Sequence, residues 1–338
     1  MQKATHPNTA IFKAPPPTRI APPVSPRKID CRSSLLAWAL AWIGALCLLA
    51  LAVPVRSGEL PKVTSGRVER LANFQSRYVT ARNVDIWLPD GYGPGARYAV
   101  LYMMDGQMLF DASTTWNRQA WGVDAVLAPL IASGRVRDTI VVGVWNDPKL
   151  RHAEYFPQKS LPFLPPAIRR SFVKEALHGK PLADRYLRFL VTELKPAIDA
   201  RFHTDPRPDS TFILGSSMGG ILSLYAVSEY PAVFGGAACL STHWIGTMSK
   251  NASLPLAAFN YFQAHLPDPA SHRIYMDHGT HDLDAQYGPA QAFADELIRE
   301  HGYTETNFMS LVSEGAGHTE KDWGTRLDVP LRFLLGIH

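Results

Sequence analysis

The chain has 338 residues, 46% of them hydrophobic and 19% charged, which suits a sizeable globular core and excludes a disordered or fibrous protein. Its formal net charge of +4 arises in the first 52 residues, which carry six basic side chains against Asp30 alone. The remainder holds 28 basic and 29 acidic residues, so no basic excess argues for a nucleic-acid partner. Of the three cysteines only Cys239 lies beyond residue 52, which rules out a disulfide framework or a zinc-type cysteine spacing there.

Residues 1–34 are rich in Pro, Lys, Arg and Thr without apolar periodicity, and read as a disordered basic tail. The next nineteen residues, Leu35–Val53, contain no charge and are long enough to span a bilayer. Basic residues before them favour a cytoplasmic N-terminus, and Ala50-Leu51-Ala52 offers a cleavage site. Segment 35–55 is therefore expected to be either a signal peptide or a membrane anchor. Both place the rest of the chain outside the cytoplasm, periplasmic or otherwise extracytoplasmic, and an uncleaved segment would tie it to the inner membrane.

Residues 56–338 read as one domain. Arg67–Phe74 and Val84–Leu88 alternate as two early antiparallel strands, and the apolar runs Tyr98–Met103 and Thr139–Val144 suit strands covered on both faces. A helix is expected over Gly122–Ile131. Residues 145–180 read as a long irregular insertion on the substrate side. Ala183–Arg201 is an amphipathic helix, with Pro196 set to kink its last turns. Further strands are expected at Thr211–Leu214, Gly236–Leu240, Arg273–Met276 and Phe308–Val312, with helices after Met218, at Ala290–Glu300 and at Leu327–Leu335. Strands alternating with helices imply an α/β fold with a mostly parallel sheet and helices on both faces.

Chemistry concentrates at Ser210–Ala226. An apolar strand runs into Gly215-Ser216-Ser217-Met218-Gly219, and helical spacing follows; a G-x-S-x-G in that setting is a nucleophile elbow. The turn lifts the Ser217 hydroxyl above the sheet, and the Met218 N–H at the helix start faces a developing oxyanion. Gln107 or Met108, after the strand ending at Met103, is the candidate second oxyanion donor. Such a serine needs a base and an orienting acid. His318, after the last strand and two glycines, is the expected base. Asp282 is favoured as the acid, three residues past Gly279; Asp284 reads as a helix cap or an alternative acid, and Asp277 as structural. His278 and His281 read as neighbours rather than ligands, so no metal or cofactor is called for. His243 is expected in the substrate cleft.

The ordered set DGQMLFD (105–111), EYFP (154–157), DRYLRFLVTELKPAID (184–199), GSSMGG (215–220), GTHDLDAQY (279–287) and GAGHTEKDW (315–323) resembles the Putative esterase family of α/β-hydrolases. That family includes siderophore esterases, feruloyl esterase domains and mycolyltransferases. The resemblance implies an α/β-hydrolase fold, Ser217 as nucleophile, His318 as base and oxyanion donors at Gln107 and Met218. It departs from the family at Met108, where asparagine is usual, and the family's variation in the acid leaves Asp282 and Asp284 both open. The expected activity is hydrolysis of a small-molecule carboxylic ester through an acyl-enzyme, without cofactor. An acyltransferase on the same residues and a non-catalytic binding protein on the same frame are the alternatives. Seven basic residues in 145–180, with Tyr155, Phe163, Trp116, Trp121 and Trp244, would suit an aromatic, anionic acyl group if they line the site; the simpler reading is a solvated loop with core aromatics.

Overall fold

A computed structural model describes residues 58–337. The segment 1–55, with its expected tail and apolar span, lies outside the described residues; among these, no helix is long and apolar enough to cross a membrane.

Eight strands form one sheet: β1 (Arg67–Phe74), β2 (Arg82–Leu88), β3 (Ala99–Met104), β4 (Thr139–Val144), β5 (Thr211–Ser216), β6 (Gly236–Leu240), β7 (Arg273–Gly279) and β8 (Phe308–Ser313). Their spatial order is β1-β2-β4-β3-β5-β6-β7-β8. The first two strands pair antiparallel with each other, and β2 pairs antiparallel with β4. From β4 to β8 every pairing is parallel. The chain goes from β3 outward to β4, then returns to the other side of β3 to form β5. The order reverses there, so a crevice opens beyond the carboxyl ends of β3 and β5.

Side chains alternate across the central strands into two cores. Val100, Tyr102 and Met104 of β3 join one, with the helices Ala183–Phe189, Met218–Glu229 and Ser253–His265. Leu101 and Met103 join the other, under Val123–Ala132 and Asp328–Leu335. Burial on both faces explains why these strands read as unbroken apolar runs.

Two expectations are corrected. Residues 145–180 are not irregular: they carry helices at Arg151–Tyr155 and Pro166–Glu175 and a 3-10 turn at Gln158–Phe163. Tyr155 and Phe156 are fully buried, so much of this insertion belongs to the core. The reason is a buried ion pair, in which Arg82 of β2 holds both Glu154 oxygens, at 2.6 and 2.9 Å. The same guanidinium lies over the rings of Tyr186 and Phe189. The helix expected over Ala183–Arg201 is divided by a π-helical turn at Leu190–Leu194, just before Pro196. Proline has no N–H, and its ring crowds the carbonyl four residues back, so the hydrogen-bond ladder widens there.

Replacing Arg82 with Met should strand a buried, charged Glu154 and lower unfolding free energy by about 3–5 kcal/mol. Urea unfolding followed by circular dichroism checks this, and a loss below about 1 kcal/mol would show that the pair is not what docks the insertion.

Candidate active site

Ser217 sits between β5 and the helix Met218–Glu229 with φ 56° and ψ −123°, a conformation that costs a non-glycine residue about 1–3 kcal/mol. Its neighbours hold it there. Ser217 N–H donates to Leu240 O at 2.9 Å, and its carbonyl accepts from Gly220 N and His243 N, each at 3.1 Å. A Cβ on Gly215 would stand 2.6 Å from the Gly219 carbonyl, so the turn closes only around glycine. The Ser217 hydroxyl makes no hydrogen bond with any described residue, and it faces a cavity of about 770 Å³ that His318 also lines.

His318 is held by Asp284. Its Nδ1 lies 2.5 Å from Asp284 Oδ1, which leaves Nε2 for chemistry. The other carboxylate oxygen of the fully buried Asp284 accepts from Ser241 Oγ at 2.5 Å and from Gly279 N at 2.7 Å. Burial pushes this carboxyl up, but the bonds from His318, Ser241 and Gly279 outweigh it and hold it below the ordinary carboxylate value. The imidazole is packed edge-on against Trp323 and Tyr287.

Asp282, favoured in the sequence, does not occupy this position. It starts the 3-10 turn Asp282–Gln286 with φ 53° and is exposed, its carboxylate beside Gly317. Successive side chains in a 3-10 turn point about a third of a revolution apart, so two residues on, Asp284 faces inward. Asp277 pairs with Arg326 and stays structural.

At the other wall of the cavity, Asp105 takes φ 55° and turns the chain after β3. Arg151 grips its carboxylate through two bonds, 2.8 and 2.7 Å, and Asn146 adds a third at 2.6 Å. The buried Tyr155 hydroxyl accepts Asp105 N–H from behind at 3.4 Å. Of the two candidate N–H groups in this loop, Met108 donates to Asp105 O at 2.8 Å, whereas Gln107 has no acceptor among the described residues. Met218 N–H, at the start of the helix, is likewise open.

A family model described as Putative esterase matches residues 76–334. The chain belongs to the Putative esterase family. It is thus a carboxylic-ester hydrolase, and its mostly parallel sheet with helices on both faces agrees with the α/β-hydrolase fold. It is 22% identical over 262 residues to "Uncharacterized protein YbbA" of Bacillus subtilis, covering 75% of this chain and 93% of that one. A ferulic acid esterase of Anaeromyces mucronatus, solved with ferulic acid, superposes with a TM-score of 0.56 at 16% identity, over 81% of this chain and 92% of that one. The enterobactin esterase of Shigella flexneri, solved with 2,3-dihydroxy-N-benzoylglycine, gives 0.58 at 18% identity, over 81% and 60%.

The aromatic residues of this esterase divide in a way its sequence did not indicate. Trp116, 84% exposed, and Trp121 line the cavity with Trp323, Arg151 and Glu320. Phe163 and Trp244 do not, and Tyr155 lies behind the Asp105 loop. His243 is not a cleft residue either: it is buried, with Nδ1 2.7 Å from the Tyr287 hydroxyl. Sequence reasoning missed Ser241, Arg326 and the Asp105–Arg151 pair, whose partners are far apart in the chain.

A Cβ on Gly279 would fall 2.1 Å from Ala316 O, so Gly279→Ala should displace the loop that carries His318. Fluorophosphonate labelling of Ser217 should slow by about tenfold or more, since a small misplacement of catalytic groups costs that much. Unchanged labelling would show that the loop adapts. Burial holds His243 neutral, lowering it from 6.5 to about 3. The unfolded chain therefore binds a proton that the folded one refuses. Stability from this residue is present above about pH 6.5 and lost as pH falls towards 3. His243→Gln should flatten the fall in unfolding free energy between those values, and an unaltered slope would assign it to other groups.

Proposed function

We propose that this esterase works through an acyl-enzyme on Ser217, with His318 as base and Asp284 as the acid that orients it. The observation that carries this reading is the His318–Asp284 bond beside a strained, unpartnered Ser217 in one cavity. Ser217 Oγ attacks the ester carbonyl while its proton passes to His318 Nε2. Asp284 stabilises the resulting imidazolium, and the N–H groups of Gln107 and Met218 meet the oxyanion. Collapse of the intermediate expels the alcohol, which takes the proton from His318. Water, deprotonated by the same imidazole, then releases the acid.

The proposed substrates are esters of aromatic hydroxy acids. Support comes from the tryptophans and Arg151 along the cavity, from its volume of about 770 Å³, and from the ferulic acid and 2,3-dihydroxy-N-benzoylglycine with which the two structural neighbours were solved. The apolar run Leu35–Val53 supports action outside the cytoplasm, through a cleaved signal or an anchor.

The test is hydrolysis of p-nitrophenyl acetate and of methyl ferulate by the purified chain. Ser217→Ala and His318→Ala should each lose about a thousandfold or more in kcat/KM. Asp284→Ala should fall by a similar order, whereas Asp282→Ala should stay within about twofold of wild type. Equal rates for wild type and Ser217→Ala would overturn the mechanism, and a preference for methyl acetate over methyl ferulate, compared at the same leaving group, would overturn the substrate class. Ester exchange with added glycerol in place of acid release would identify a transferase.

A further inference from the structure

Behind the His318–Asp284 pair lies a chain of buried polar groups. Ser241, fully buried with φ 44°, follows β6 and places its hydroxyl between three partners. Trp323 Nε1 and Arg326 Nη2 both donate to Ser241 Oγ, each at 2.9 Å. A serine hydroxyl has two lone pairs and one hydrogen. With both lone pairs taken, its hydrogen has one place to go, Asp284 Oδ2 at 2.5 Å. Arg326 is itself held in a fork by Asp277, through Nε at 3.1 Å and Nη2 at 3.0 Å, and Tyr275 donates to the same carboxylate at 2.9 Å. Arg326 stops 3.9 Å from Asp284, with the serine oxygen between them.

We propose that Ser241 is a positioning residue for the catalytic pair: its hydroxyl, turned by Trp323 and Arg326, fixes the Asp284 carboxylate against His318. The proposal rests on the serine-esterase reading above. It also explains a residue that sequence patterns disfavour, because a left-handed backbone at this position is natural for glycine and is held here by serine. The hydroxyl does what a glycine could not: it supplies one of the three bonds to a fully buried carboxylate, while Asp277 holds the nearby guanidinium. The other titratable or charged groups around the pair are Tyr287 and His243 beside it, Asp282 and Asp322 flanking Gly317, Glu320 two residues on from His318, and Asp105 and Arg151 at the other wall of the cavity.

The test is Ser241→Gly in the full chain, a change that relieves the backbone while deleting the hydroxyl. Asp277 still holds Arg326 in place, so Asp284 becomes one hydrogen bond poorer and a stronger partner for imidazolium. The acid limb of the kcat/KM profile should move to higher pH by about half a pH unit or more. Turnover should fall about tenfold with KM within about twofold, as expected when orientation rather than binding is lost. The downfield proton resonance of His318 Nδ1–H should shift or vanish. Trp323→Phe keeps a ring against His318 but frees one serine lone pair, and should move all three readouts the same way by less. A superimposable pH profile, turnover within about twofold and an unmoved resonance would overturn the proposal. If Ser217→Ala were as active as wild type, the esterase mechanism itself would fall, and the resonance would still decide whether Ser241 sets the geometry of the pair.

Discussion

At the carboxyl edge of the sheet, backbones approach one another too closely for a side chain to intervene. The elbow closes on itself at Gly215 and Gly219, and the loop carrying His318 lies against Gly279 at the end of β7. These two contacts set the site. The first forces Ser217 into a backbone conformation that lifts its hydroxyl into the cavity, and the second brings the His318 loop within reach of Asp284. The strain at Ser217 is sustained because the end of β6, the loop after it and the following helix bind its N–H and carbonyl.

Charge is handled differently on the two sides of the crevice. On one side, Asp105 is paired with Arg151 and hydrogen-bonded by Asn146, and the loop is backed by Tyr155, so the open N–H of Gln107 is held by a rigid frame. On the other side, a buried carboxylate is held below the ordinary carboxylate value by the three donors around it, and the nearest cation is occupied by a second carboxylate. A single acid beside Arg326 would be a spent ion pair. Asp277 absorbs the guanidinium and leaves Asp284 bonded to the histidine. Burial raises Asp277 above its ordinary value even so, which indicates how costly this arrangement is to keep in the core.

Arg82 and Glu154 serve the architecture as the Asp277–Arg326 pair serves the site. Their pairing draws the insertion after β4 down onto the sheet, and that same insertion delivers Arg151 and Tyr155 to the Asp105 loop. The part of the chain with the weakest local pattern is therefore organised by one buried charge on a distant strand.

The strands and the glycine-flanked serine turn were legible in the sequence because both are local signals. Strands buried on two faces need continuous apolar runs, and a glycine-flanked serine between a strand and a helix has few conformations open to it. The placement of His318 at the cavity was legible too, from its place after the last strand. Which aspartate meets it was not. Asp282 and Asp284 differ by two positions in a segment without periodicity, and only the phase of the 3-10 turn decides which faces inward. Ser241, Arg326 and Arg151 carry no local signal at all, since each acts through partners that the sheet brings together from far along the chain. Short-range sterics and hydrophobic periodicity determine the elements and the strained serine turn; the direction in which each polar side chain points is decided when those elements pack and every buried donor and acceptor must find a partner.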